Sequence, residues 1–192
     1  MLQQWSGGQA ASGAAGGGWR KTAGGAKLPE LFRRIRESGV RREQLVFLCI
    51  GTDRSSGDAF GPLTGTFLRE AGFSLVVGTL DKPCDGDTWA GCLKELEAML
   101  FAAAAGRAVV AVDACLGSAA SLGLFLMRDG PLTPGASLRR GLPPVGDYSI
   151  GGIVCENRAH PYTALQTAPL GRVLPMARQV VQAALEVFPA EA

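Results

Sequence analysis

Two kinds of apolar pattern alternate along the chain. The first is a short continuous run closed by glycine. Leu45-Val46-Phe47-Leu48-Cys49-Ile50 ends at Gly51 and predicts a strand buried on both faces, as in a parallel sheet. Leu75-Val76-Val77 and Ala108-Val109-Val110-Ala111-Val112 repeat the pattern, the latter running into Asp113. The second kind has apolar residues three and four apart, the period of a helix with one buried face. Leu31, Phe32 and Ile35 show it after Pro29, with Gly39 as the stop. Phe60, Leu63, Phe67 and Ala71 show it before Gly72. Trp89, Leu93, Leu96 and Leu100 form a third stripe, capped by Asp85 or Asp87 and ended by Gly106. Val173, Val180, Val181, Ala184 and Phe188 mark a last helix over roughly 174–188.

Strand, helix, strand, helix, strand in this order predicts a right-handed parallel α/β unit. Two further apolar runs, Leu122 to Met127 and Tyr148 to Cys155, predict more strands, with Pro131, Pro134, Pro143 and Pro144 marking irregular connections between them. The fold class expected is therefore α/β: a single-domain three-layer sandwich, with a mostly parallel twisted sheet and helices on both faces. Residues 1–26 stand apart. They hold eight glycines among alanines and serines, with Trp5 and Trp19 isolated. Such a segment buries too little apolar area to offset its ordering entropy, so a disordered tail is expected over 1–26 and one folded domain over 27–192.

Composition narrows the function. With 47% hydrophobic and 19% charged residues, the chain has the profile of a globular domain. A net charge of +2 is too small for a dedicated nucleic-acid binder. No apolar run reaches the length of a membrane helix, and the N-terminus lacks the apolar core of a signal peptide. The five cysteines are scattered, without a C-x-x-C pair, which fits a reduced, cytoplasmic protein better than a zinc or thioredoxin-like site.

Candidate chemistry follows from topology. In open α/β sheets ligands sit beyond the carboxyl ends of the strands. Acids stand at three of those ends: Asp53 and Asp58 after the first strand, Asp81 after the second, Asp113 after the third. Parallel strands put these ends on one rim, so carboxylates remote in sequence converge. A carboxyl pair sharing a proton divides the work, one member activating water and the other donating a proton. Asp58 also fits a helix cap, although Pro62 would place the cap at Gly61. Asp113 ends an apolar strand, where burial costs several kcal/mol unless a partner is found. Asp53 fits a turn former bonding backbone N–H groups of its own loop, and Asp81 a structural role. The one histidine, His160, cannot build a multi-histidine metal site, and no G-x-S-x-G elbow supports a serine triad. The loop 51–57 is no Walker A motif, since no Gly-Lys-Ser/Thr follows it, and Cys115 fits packing rather than nucleophilic attack.

Three segments carry a family resemblance. Gly51-Thr52-Asp53-Arg54-Ser55-Ser56-Gly57-Asp58-Ala59-Phe60-Gly61-Pro62, then Gly78-Thr79-Leu80-Asp81, then Val112-Asp113-Ala114-Cys115-Leu116-Gly117 resemble the YyaC-type sporulation proteins, from about Gln44 to the C-terminus. That family looks like a compact relative of the germination protease that degrades small acid-soluble spore proteins. It is also similar in fold to the endopeptidases that mature nickel–iron hydrogenases, hence phosphorylase/hydrolase-like. The resemblance implies that Asp58 and Asp113 stand where the germination protease has its two essential aspartates. Hydrogenase-maturing enzymes add a histidine to hold a metal, and His160 has no clear match to it.

The expectation is a spore-associated, aspartate-dependent endopeptidase. Asp58 and Asp113 are its catalytic pair, with Thr52, Asp53, Ser55 and Asp81 in the supporting loops. No cofactor or metal is called for. The partner is a protein or peptide substrate, spore proteins among the candidates, with neither nucleic acid nor membrane, in the cytoplasm of the spore-forming cell or forespore. Two alternatives stand beside it: a non-catalytic binding or regulatory protein docking through Trp5 and Trp19, and a metal-dependent hydrolase with His160 or Glu156 as third ligand.

Overall fold

A computed structural model describes residues 20–22, 24–102, 106–134, 143–157 and 160–190. Six strands form one sheet: β1 (Arg20–Thr22), β2 (Leu45–Cys49), β3 (Val76–Val77), β4 (Ala108–Gly117), β5 (Phe125–Asp129) and β6 (Tyr148–Glu156). Their spatial order is β1-β5-β6-β4-β2-β3. β3, β2, β4 and β6 run parallel, while β5 is antiparallel to β6 and β1 to β5. Among the described residues five helices accompany them: α1 (Leu28–Glu37), α2 (Phe60–Glu70), α3 (Trp89–Ala102), α4 (Pro161–Gln166) and α5 (Leu170–Val187).

The period-two alternation of the strands sorts the core into layers. Phe47, Cys49, Val110 and Val112 face the layer shared with α1, α2 and α5. Val46, Leu48, Ile50, Val109 and Ala111 face α3 through Trp89, Cys92 and Leu96. Both faces of β2 are buried, as its unbroken apolar run requires. The three-layer α/β arrangement is thus the one expected. At the first turn of α2, Phe60 is fully buried and its ring lies 6.3 Å from that of Phe125. Burying a side chain of this size stabilises the fold by about 1.5–3 kcal/mol.

Several boundaries differ from the sequence expectation. Arg20–Thr22 fall in the stretch read as tail, yet they pair with Phe125–Met127 as an edge strand. The backbone of β5 offers unpaired groups there, and an edge strand takes up any chain that can satisfy them. Of the rest of the expected tail, 1–19 and 23 lie outside the described residues, and 24–26 belong to the turn that enters α1, where Leu28 N–H donates to the Gly25 carbonyl at 3.0 Å. α3 buries Trp89 and Leu96 as expected, with Leu93 and Leu100 partly buried against the same layer, and adds Cys92 to the stripe. α4 is an element the periodicity did not predict. β4 does not end at Val112. Its pairing with β2 stops there, at Cys49↔Val112, but β6 continues alongside it from Asp113↔Gly151 onward. Asp113 therefore lies within a strand, at the step where one neighbour departs and the other remains.

The connections matter most for function. The chain passes from β2 through α2 to β3 on one side of β2, and α2 covers one face. It then passes through α3, on the opposite face, to β4 on the other side of β2. The direction of winding reverses between β2 and β4. Such a reversal opens a crevice at the carboxyl ends of the two strands.

Candidate functional site at the carboxyl ends of β2 and β4

The loop 51–59 is folded tightly back on the end of β2. Ile50 N–H donates to the Val112 carbonyl at 2.8 Å, and Gly51 N–H to the Cys84 carbonyl at 2.9 Å. Gly51 has φ +145°, and a Cβ on it would stand 1.9 Å from the Asp58 carbonyl oxygen. A Cβ on Gly61 would meet the Ile50 carbonyl oxygen at 2.0 Å. Only glycine lets α2 start directly against the strand it follows. The result brings the backbone of Asp58 onto Gly51, next to the strand pair that carries Asp113.

Both aspartates are buried at this step. Asp58 precedes the helix: the residue at the N-cap is Ala59, and no side chain caps α2. Its carboxyl is therefore not spent on the helix N-terminus. Burial raises its pKa above the usual carboxylate value, which favours the protonated acid. The Ser55 hydroxyl stands close enough to offset part of that rise. Ser55 Oγ is itself buried and forms no well-aligned hydrogen bond. Asp113 Oδ1 accepts the Ala114 N–H at 2.9 Å, a bond that favours the carboxylate. Its charge helps to push the neighbouring Cys115 thiol up, an effect second to that thiol's burial. Cys115 is buried and far from the thiolate form, in keeping with a packing role.

Other groups hold the loop. Arg54 reaches from it to the turn before α3, where its guanidinium donates to Asp85 at 2.8 Å and Asp87 at 3.2 Å. Burial alone would raise the Asp85 carboxyl. The N–H groups of Asp87 and Thr88, with Arg54, outweigh it and hold the acid below its ordinary value. Asp85 is thus the acid that organises the start of α3, and Asp87 is only its exposed companion. On the other side, Gly57 N–H donates to the Leu165 carbonyl at 2.8 Å, and Ser56 Oγ to those of Gln166 and Ala168 at 2.9 and 2.7 Å. The loop is pinned between the α3 turn and α4. Pro161, inside the first turn of α4, is the sequence signal that marks this helix.

The remaining candidates fall as follows. Thr52 is buried, and its Oγ1 accepts the Arg54 backbone N–H and Nε at 3.4 and 3.2 Å. Asp53 is exposed and makes none of the loop hydrogen bonds expected of it; Thr52 supplies them instead. Asp81 is exposed and lines a cleft beyond β3 with Lys82 and Glu95. His160 is the exposed N-cap residue of α4 and makes no side-chain cap bond. Among the described residues no three His, Cys, Asp or Glu side chains are grouped as metal ligands. No helix among the described residues is long and apolar enough to cross a membrane.

Comparison with known proteins sets this architecture in context. The chain is 39% identical over 153 residues to the uncharacterized protein YyaC of Bacillus subtilis (strain 168), covering 77% of this chain and 73% of that protein. A crystal structure of the [NiFe] hydrogenase maturation protease HycI from Thermococcus kodakarensis KOD1 superposes with a TM-score of 0.44 at 18% identity, over 79% of this chain and 98% of that one. Residues 26–183 match the family described as proteins of unknown function, DUF1256. The chain belongs to that family and is a relative of YyaC.

Proposed function

We propose that this protein is an endopeptidase that uses Asp58 and Asp113 to activate water on a peptide carbonyl. The observation that carries this reading is the reversal of winding between β2 and β4, with one buried aspartate in the loop that leads from β2 into α2 and another on β4 just past its last pairing with β2. Asp58, whose pKa burial raises, is the proton donor to the leaving amine. Asp113, whose Oδ1 accepts the Ala114 N–H, takes the proton from water. Ser55 Oγ, buried without a well-formed bond, orients that water or the acid. Gly51, Arg54 and Ser56 keep the loop in register. The motif likeness to germination proteases supports the same pair of residues. It also supports a protein substrate, spore proteins among the candidates, met in the cytoplasm of the spore-forming cell.

The test is cleavage of a peptide library read by mass spectrometry, with wild type, Asp58→Asn and Asp113→Asn assayed side by side. Each substitution is expected to lower the rate by about 10²–10⁴-fold. Cleavage that proceeds equally in both variants would contradict the assignment.

A further inference from the structure

A cleft of about 370 Å³ lies beyond the outer edge of β3, and the aspartate pair does not use it. Its floor is the end of that strand, Val76 and Gly78. Gly78 lies hard against β2: a Cβ on it would stand 1.9 Å from the Cys49 carbonyl oxygen. The cleft therefore opens on the same carboxyl rim as the loop that carries Asp58. One continuous segment joins the two places. It starts at Thr79 in the cleft wall and reaches Cys84, whose carbonyl accepts the Gly51 N–H at 2.9 Å. Neighbouring strands are about 4.8 Å apart, which puts the cleft about 12 Å from the step between β2 and β4. An extended peptide covers that distance in about three or four residues.

The cleft wall is preorganised. Thr79 N–H donates to the Lys82 carbonyl at 3.1 Å, and Lys82 N–H donates to Thr79 Oγ1 at 3.2 Å, closing a turn with Asp81 inside it. Thr66 Oγ1 on α2 accepts the Leu80 N–H at 2.9 Å and ties that turn to the helix. Both cations of the cleft are committed. Arg69 donates to the Val76 carbonyl at 2.9 Å, and Lys82 pairs with Glu95 at 2.5 Å. Glu70 and Asp81 are exposed and form no ion pair among the described residues. An anion entering the cleft would have to break one of those contacts, whereas a cation meets two waiting carboxylates. The volume is at the low end for ligand sites and suits one long side chain.

We propose that this cleft is a specificity subsite of the endopeptidase and takes a lysine or arginine side chain of an extended substrate peptide. The inference rests on the endopeptidase reading. The cationic head lies between Asp81 and Glu70, and the aliphatic stem covers the floor. Because the cleft lies on one side of the aspartate step, the basic residue stands about three or four positions from the cut, always on the same side.

Two measurements on the full-length protein test this. The first follows amide NMR shifts during titration with a blocked alanine pentapeptide that carries lysine or arginine at its centre, with norleucine there as the control. The expected result is saturating shifts at Gly78, Thr79 and Asp81, with an affinity about fivefold higher than for the norleucine peptide. Asp81→Lys should abolish that difference. The second sorts the wild-type cleavage products of a peptide library by the sequence around each cut. Lysine and arginine should be enriched about three or four positions to one side, and Asp81→Lys should remove the enrichment. Equal shifts from the lysine and norleucine peptides, shifts that persist in Asp81→Lys, or basic residues scattered evenly about the cuts overturn the proposal. Lysine-dependent shifts at the cleft with no cleavage of any peptide uphold the cation site and overturn the endopeptidase reading alone, so the two fail separately.

Discussion

A Cβ placed on Gly51 would stand 1.9 Å from the carbonyl oxygen of Asp58. The chain that leaves β2 returns over its own start before it enters α2. Gly51→Ala must therefore force backbone against backbone, and it must also hold a side chain at φ +145°. Each effect costs about 1–3 kcal/mol. Gly39 provides the control: its φ is +91°, but a Cβ there meets nothing within 4 Å. Urea unfolding should show Gly39→Ala losing about 1–2 kcal/mol and Gly51→Ala clearly more. Equal losses would mean that the loop does not fold onto β2 as described.

Asp58 makes stability fall as pH rises. Its folded pKa lies above the unfolded value, so the folded state binds the proton more tightly and is penalised once the carboxyl ionises. Asp58→Asn removes the penalty. Thermal unfolding should show the variant melting higher than wild type at pH 7. The gap should close as pH falls through the raised pKa toward 3.8. A variant that melts lower at neutral pH would mark Asp58 as a structural acid.

Asp85 behaves in the opposite sense. Its folded pKa is depressed, so its contribution is present above 3.8 and lost as pH falls through the folded value. Asp85→Ala leaves the Asp87 and Thr88 N–H groups without their acceptor, at a cost of about 1–3 kcal/mol at pH 7. The Arg54 side chain is 67% exposed and its ion pairs are screened by solvent, so Arg54→Ala should cost clearly less than Asp85→Ala. Denaturation midpoints of the two variants at pH 7 and pH 3 check both the ranking and its disappearance in acid.

Ser56 clamps the loop to α4 through two carbonyls. Ser56→Ala should cost about 1 kcal/mol. If the loop positions Asp58, the variant should also lower the peptide-cleavage rate while leaving substrate affinity nearly unchanged. Hydrogen exchange at the Gly57 amide, which donates to the Leu165 carbonyl, reports the loosening directly.

What could be read in the sequence follows from how local each signal is. The apolar run of β2 and the stripe of α2 depend on neighbours along the chain, and both elements lie where their patterns place them. That Asp58 follows β2 and that Asp113 sits on the strand paired with β2 was legible, because the apolar runs mark both strands. The extent of β4 beyond Val112 was not, because it depends on pairing with β6, remote in sequence. Asp53 and Thr52 exchanged roles for a similar reason: the loop bends toward Arg54 and Asp85, a contact 31 residues distant that no local turn rule contains. α4 is six residues long, too short for a periodic stripe to show.

The central claim is that Asp58 and Asp113 act as one unit. Carboxyl carbon NMR titration of both residues tests it without any substrate. In wild type, burial should make Asp58 titrate above the usual 3.8; the proposed pairing predicts that in Asp113→Asn this pKa falls, because a like charge close by disfavours ionisation. An Asp58 titration that is identical with and without the Asp113 carboxylate would contradict the account.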